Sequence, residues 1–323
     1  ASQVNFAVPK FPGNVTKTFM RFRLSGLQGL SYTGLAPDGE VEDYEVKIES
    51  VKWLQRPELG WEGVDVDNFW VQLADDFQCT QTGPVTDIHL WGSFVSDVLP
   101  VGGIGNMTFT LFLYKDVPAG ADSTFSHPGE LLWSRTFKPG EYSAGHAFYQ
   151  PDGEWWHDPA SPSWLQNADK NIFQFDFYLP PEQAFSQVEG TIYWLGVKYT
   201  AGANDGYTFG WKTTYEPWND DACWLDTRVN PVVWREMRYG DGHPWAQLPP
   251  PANSLNLAFA VSGERGPAFD FGDAPDGAAA PRYPTLLLNN GARHTIVPGV
   301  RLGSLVDAEA DGQPNATATG DDT

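Results

Sequence analysis

The stretch NIFQFDFYL, residues 171–179, places apolar side chains at Phe173, Phe175, Phe177 and Leu179, with Gln174, Asp176 and Tyr178 between them. A period of two suits a strand with one buried face, whereas a helix would repeat its apolar face every three or four residues. The same alternation recurs at Leu255, Leu257, Phe259 and Val261. Further candidate strands lie near residues 85–94, 107–115, 131–137, 190–199, 206–212 and 232–238. Gly102-Gly103, Pro139-Gly140, Pro151-Asp152-Gly153, Asn204-Asp205-Gly206 and Asp241-Gly242 supply turns between them. Many strands without a helical period predict an all-β fold built on a central antiparallel β-sandwich of jelly-roll type.

Composition divides the chain into three segments. Residues 51–263 are rich in aromatics and carry the predicted sandwich. Residues 1–50 alternate at Val4, Phe6 and Val8, at Met20, Phe22 and Leu24, and at Tyr44, Val46 and Ile48. Three such strands make a small sheet, an incomplete module. Residues 264–323 are rich in Gly, Asp and Pro, with short apolar runs at Leu286–Leu288 and Ile296–Leu302. So little apolar content predicts a connector that cannot build a core alone.

The chain carries 41 Asp and Glu against 20 Lys and Arg, a formal charge of −21. That surface repels phosphates and anionic lipid heads, which excludes nucleic acid as the expected partner. No run approaches the roughly 18–20 apolar residues of a membrane span. The first residues show no basic and apolar leader, so any export signal is expected to have been removed already. An acidic, lysine-poor, tryptophan-rich balance suits a protein that works outside the cell or on its surface. Cys79 and Cys223 are the two cysteines, compatible with one disulfide or with two buried thiols.

The residues GLSYTGLAPDGEVEDYEVKI (29–48) resemble the terminal signature of the GEVED domain, named for the string at Gly39–Asp43. The resemblance covers residues 1–50 and implies the C-terminal strands of a partial Ig-like, GEVED-type β module. Such modules recur in very large secreted and surface proteins of bacteria and archaea. The segment 264–323 resembles the stretch that precedes GEVED domains in those proteins. The middle, with LADDFQCTQTGPVTDIHLWGS (73–93) and YTFGWKTTYEPWNDDACW (207–224), resembles an uncharacterised all-β domain found beside them. That likeness implies no activity. The family's acidic start and the Asp/Asn/Gly-rich loop after it are missing here.

Chemistry-bearing patterns are sparse. There is no nucleophile elbow, zinc-protease helix or phosphate loop. Glu154 beside Trp155-Trp156 is the most suggestive carboxylate, but an acidic turn beside a buried aromatic pair is the better reading, and no catalysis is expected. The six histidines, His89, His127, His146, His157, His243 and His294, lack the spacing of a local chelate. Calcium fits better, since it takes hard oxygen ligands from loops. Asp307, Glu309 and Asp311 follow the start of an EF-hand loop, but Ala318 stands where the closing carboxylate belongs. Asp65 and Asp67, Asp75-Asp76 and Asp220-Asp221 are further calcium candidates, set against solvated turn carboxylates.

Of 14 tryptophans, Trp155, Trp156, Trp164, Trp218 and Trp245 fall in predicted loops, where an exposed ring could stack on a polysaccharide, although packing of the core and between loops is the better expectation for them. The expectation is therefore a non-catalytic structural or adhesive module of a surface protein or filament. It would assemble head-to-tail with other copies or with adjacent repeats. The rival is a carbohydrate-binding module.

Overall fold

The computed structural model describes residues 17–47 and 51–319, apart from 27, 30, 32, 162–163, 201–205, 227, 241, 250–252, 264–268, 278–281, 290, 296–308 and 310. Two compact units divide the chain, Ala1–Ser50 and Val51–Thr323. Among the described residues there is no α-helix, only strands and short 3-10 turns. Among the described residues no helix is long and apolar enough to cross a membrane.

The first unit contains an antiparallel ladder of Lys17–Leu24 with Glu40–Lys47. Its register sets Met20 opposite Tyr44 and Thr18 opposite Val46, the parity that the alternation required. Arg21 grips Asp43 across the ladder through two contacts of 2.6 and 2.7 Å. Gly39, at φ 90°, lets the chain turn into the second strand, and a Cβ there would collide with Leu24 O. The expected strand at Val4–Val8 and the position of Ile48 lie outside the described residues.

The second unit is an all-β sandwich. One sheet runs Ser143–Tyr149, Asn171–Tyr178, Asp87–Phe94, Phe209–Lys212, Val64–Asp67, Trp155–His157 and Trp164–Leu165. Phe259–Ser262 also pairs with Asp87–Phe94 and carries Val51–Gln55 beside it. The other sheet runs Trp234–Glu236, Cys223–Asp226, Val71–Gln78, Ile192–Thr200, Thr108–Val117 and His127–Phe137. All these pairings are antiparallel except one: Trp155–His157 runs parallel to Val64–Asp67.

Alternation decides which side chains meet between the sheets. Phe109 of the second sheet packs on Phe175, Phe177 and Phe209 of the first, with ring centroids 5.2, 5.3 and 5.4 Å apart. Phe77 meets Phe259 at 5.6 Å in the same way. Phe173, Phe175, Phe177 and Leu179 are buried as their period demands, and so are Leu255, Leu257, Phe259 and Val261. Each large aromatic buried this way contributes on the order of 2–3 kcal/mol of hydrophobic stabilisation.

Several strands escape the alternation rule, among them Val64–Asp67, Val71–Gln78, Phe209–Lys212 and Phe259–Ser262. Val64–Asp67 and Val71–Gln78 are buried along nearly their whole length, with acidic residues among the valines and leucines. The second is covered on both faces, because Ala74 packs with Trp194 and Cys223 on the side away from the main core. A strand buried on both faces has no polar side to alternate with. In the C-terminal segment, Phe269–Phe271 pairs with Arg293–Thr295, and Asp276 accepts from the Thr285 and Leu286 amides at 2.8 and 3.0 Å.

Candidate functional site

The sequence VDVD (64–67) would ordinarily form a solvated turn, but here it is an inner strand flanked by Phe209–Lys212 and Trp155–His157. Its neighbours in the register bring three charged side chains together. Lys212 lies directly opposite Asp65, and Glu154 immediately precedes the strand on the other side. The Lys212 ammonium donates to Asp65 Oδ2 at 3.1 Å and stands 2.7 Å from Glu154 Oε1, with all three side chains fully buried. Asp169 joins them because residues 154 and 168–169 exchange backbone hydrogen bonds of 2.9 and 3.0 Å. Glu58, also buried, is tied in by its amide bond to Thr213 O at 2.9 Å.

Four carboxyls thus share one ammonium away from water, and their protonation follows from that imbalance. Burial pushes Glu58 up to about 7 and Glu154 up to about 8, against the pull of Lys212. Asp65 and Asp169 are likewise raised by burial. Burial alone would lower Lys212, but Asp65, Glu154 and Asp169 outweigh it and hold the amine above its usual value. Close packing enforces the arrangement: a Cβ on Gly63 would lie 2.7 Å from Lys212 Nζ and 2.8 Å from Glu154 Oε1.

Oxygens of Asp65, Glu154 and Asp169 lie within 4.8 Å of one another, close enough for a cation. Lys212 is the cation beside them, and a divalent ion would be repelled by its charge. Of the two carboxylates expected to bind calcium, Asp65 is in this cluster and Asp67 is not part of it. Asp65 serves Lys212, while Asp67 Oδ1 accepts from the Phe69 amide at 2.7 Å. Asp307 lies outside the described residues; Glu309 accepts from Phe271 N at 2.9 Å, and Asp311 from Gly312 N at 2.8 Å. Asp75 accepts from Leu257 N and Gln55, Asp220 from Ser126, and Asp221 pairs with Arg238 at 2.6 Å. Asp220 and Asp221, proposed from the sequence as calcium ligands, also come together with Glu236, their oxygens within 4.8 Å of one another.

A second constellation lies next to Glu154. Trp155 meets His243 at 5.0 Å, and His243 also packs on Trp164, Tyr239 and Trp245 at 5.5, 4.5 and 5.6 Å. His243 Nε2 contacts Glu62 O at 2.9 Å and Nδ1 accepts from Trp245 N at 3.2 Å, a pattern that requires the neutral imidazole. Burial lowers its pKa to about 4. Beside this assembly is a pocket of about 380 Å³ lined by Trp61, Asp152, Gly153, Trp155, Gln166 and Asn167.

The structure therefore brings Trp155, Trp164 and Trp245 together but not as a row of exposed rings. Trp155 and Trp156 are buried, and Trp164 and Trp245 are half-buried. Trp218 is elsewhere, edge-on to Trp53 at 4.8 Å. The large exposed ring of the pocket is Trp61, 48% exposed, which the loop-tryptophan reading missed. Its place in the turn LGWEGV (59–64), between two glycines, was the available signal.

Both cysteines are free thiols and buried, which corrects the expected Cys79–Cys223 bridge. Cys223 stands opposite Ala74 in the register. Cys79 is five residues further along that strand, about 17 Å at 3.4 Å per residue, far beyond disulfide reach.

The architecture defines an aromatic-rich β-sandwich with a buried lysine–carboxyl centre and an open pocket at its rim. Residues 51–262 match the family described as Domain of unknown function (DUF7901), and the chain belongs to that family. The matched span runs from the strand Val51–Gln55 to the strand Phe259–Ser262. No curated protein and no solved structure matches the chain.

Proposed function

We propose that the protein is a non-catalytic structural or adhesive module of an extracellular surface protein or filament. It joins other copies, or adjacent repeats of one polypeptide, through strands at its ends. The observation that carries this reading is the ladder of Lys17–Leu24 with Glu40–Lys47, which is two-stranded among the described residues. Isolated two-stranded ladders are marginal in water, and their open edges recruit further strands. Leu24, Leu35 and Val41 are exposed on this unit, apolar surface that an added strand would cover. The GEVED-like signature at residues 29–48 points to the same setting. Sedimentation and electron microscopy of the purified chain test the proposal. End-to-end oligomers that dissociate on deletion of residues 264–323 support it, and a monomer at high concentration refutes the joining of separate copies.

A second reading rests on the pocket. Trp61 offers an exposed ring, and Asp152, Gln166 and Asn167 offer hydrogen-bonding groups around it, the pairing that a sugar face and its hydroxyls require. Retardation in polysaccharide gels, lost in Trp61→Ala, supports carbohydrate binding. Equal mobility with and without every polysaccharide tried counts against it.

A further inference from the structure

The central sandwich carries, in its core, the reactants for an intramolecular amide. Lys212 Nζ is 3.1 Å from Asp65 Oδ2 and 2.7 Å from Glu154 Oε1, and none of the three side chains reaches solvent. Lys212 and Asp65 are directly opposed across two antiparallel strands, so the backbone itself holds amine and carboxyl together. An aromatic wall closes one side of the space. A Cβ on Gly210 would lie 2.9 Å from Asp65 Cβ and 2.8 Å from the Trp156 ring, so that indole lies close beside Asp65.

We propose that Lys212 and Asp65 condense to form an isopeptide cross-link, with Glu154 relaying the protons. The bookkeeping of atoms is simple. The ammonium passes one proton to the Asp65 carboxylate, leaving a neutral amine and a neutral acid. The nitrogen lone pair forms the N–C bond at Asp65 Cγ. Glu154 donates a proton to the oxygen that departs and recovers one from the nitrogen, ending as it began. One C–O bond breaks, one water leaves, and ammonium plus carboxylate have become a secondary amide.

Three physical factors favour the step here over free solution. Fixed proximity replaces a bimolecular encounter, an advantage that reaches many orders of magnitude in effective concentration. The reaction removes a buried ion pair whose desolvation is expensive, and the water it releases escapes to solvent. Burial also keeps the Glu154 carboxyl protonated up to about pH 8, so an acid is at hand at neutral pH. The bond would join positions 147 residues apart, fastening adjacent strands of the sandwich. This inference is independent of how the module assembles or what it binds.

Mass spectrometry of the denatured full-length protein decides the matter. The expected intact mass is below the sequence mass by about 18 Da, one water. Tryptic digestion should leave Lys212 uncut and yield one species containing the Asp65 and Lys212 peptides joined. Asp65→Asn should still cross-link, now losing ammonia and about 17 Da. Glu154→Gln should slow the loss, and Lys212→Arg should abolish it. An intact mass equal to the sequence, with cleavage after Lys212, overturns the proposal. So does a loss of water that fragmentation assigns to any pair other than Asp65 and Lys212.

Discussion

The imidazole of His157 lies flat on the indole of Trp164, with centroids 4.0 Å apart and planes 10° from parallel. Trp164 therefore offers one face at most, and Tyr239 and His243 pack against the same ring at 6.2 and 5.5 Å. Of the rings that the sequence suggested for sugar stacking, Trp155 lines the pocket.

Trp61 and Trp155 should accordingly behave differently when truncated. Trp155→Ala removes a buried ring, and unfolding in urea should show a loss of about 3–5 kcal/mol. Trp61→Ala, at a half-exposed position, should leave stability within about 0.5 kcal/mol while changing whatever the pocket binds. Equal destabilisation by both would contradict the placement of Trp61.

Glu58 should make the sandwich less stable as pH rises. Its pKa is about 7 in the folded chain against an ordinary value of 4.5, so the native state holds the extra proton between those limits. Stability from this group is intact below pH 4.5 and lost as pH climbs through 7. Between pH 5 and 8 the wild type should lose up to about 3 kcal/mol relative to Glu58→Gln. Parallel melting curves for the two proteins at every pH would rule this out.

His243 acts in the opposite sense. Its folded pKa of about 4 lies below the ordinary 6.5, so the unfolded chain binds the extra proton. Stability from this group is present above pH 6.5 and is lost as pH falls toward 4. Tryptophan emission of the folded protein should stay constant until the pH nears about 4 and shift there, reporting the disturbed Trp155, Trp164 and Trp245. In His243→Gln the shift should be absent. Because the two contributions oppose each other, the wild-type profile alone will look flatter than either.

Thiol titration should count two free cysteines in unreduced, denatured protein. In the native state both should react slowly, since both are buried and burial pushes the Cys223 thiol well up. Fewer than two thiols in the denatured sample would restore the disulfide.

Gly63→Ala should cost about 1–3 kcal/mol. The added methyl meets Lys212 Nζ, Glu154 Oε1 and the Glu58 carbonyl at 2.7, 2.8 and 2.9 Å, and the last is backbone that cannot swing aside. A melting temperature equal to wild type would mean that the centre is looser than described.

What could be read directly from the sequence was the half-buried strand. Phe173, Phe175, Phe177 and Leu179, or Leu255 to Val261, announce a sheet because period two is a local property of the chain. The eight regions so identified all contain strands, at bounds such as Asp87–Phe94 and Thr108–Val117. Val64–Asp67 and Val71–Gln78 were illegible for the complementary reason. Their second face is covered by other elements, and aspartate is disfavoured in strands until a partner is supplied. The partner of Asp65 is Lys212, distant in sequence, and only the pairing of Val64–Asp67 with Phe209–Lys212 brings the two together. Likewise, the fate of each tryptophan and the separation of Cys79 from Cys223 depend on strand order. Sequence determined that this chain is all β, because side-chain alternation is written residue by residue. Tertiary structure alone decided which charges share a core and which ring faces water, because those are contacts between segments whose register no local pattern encodes.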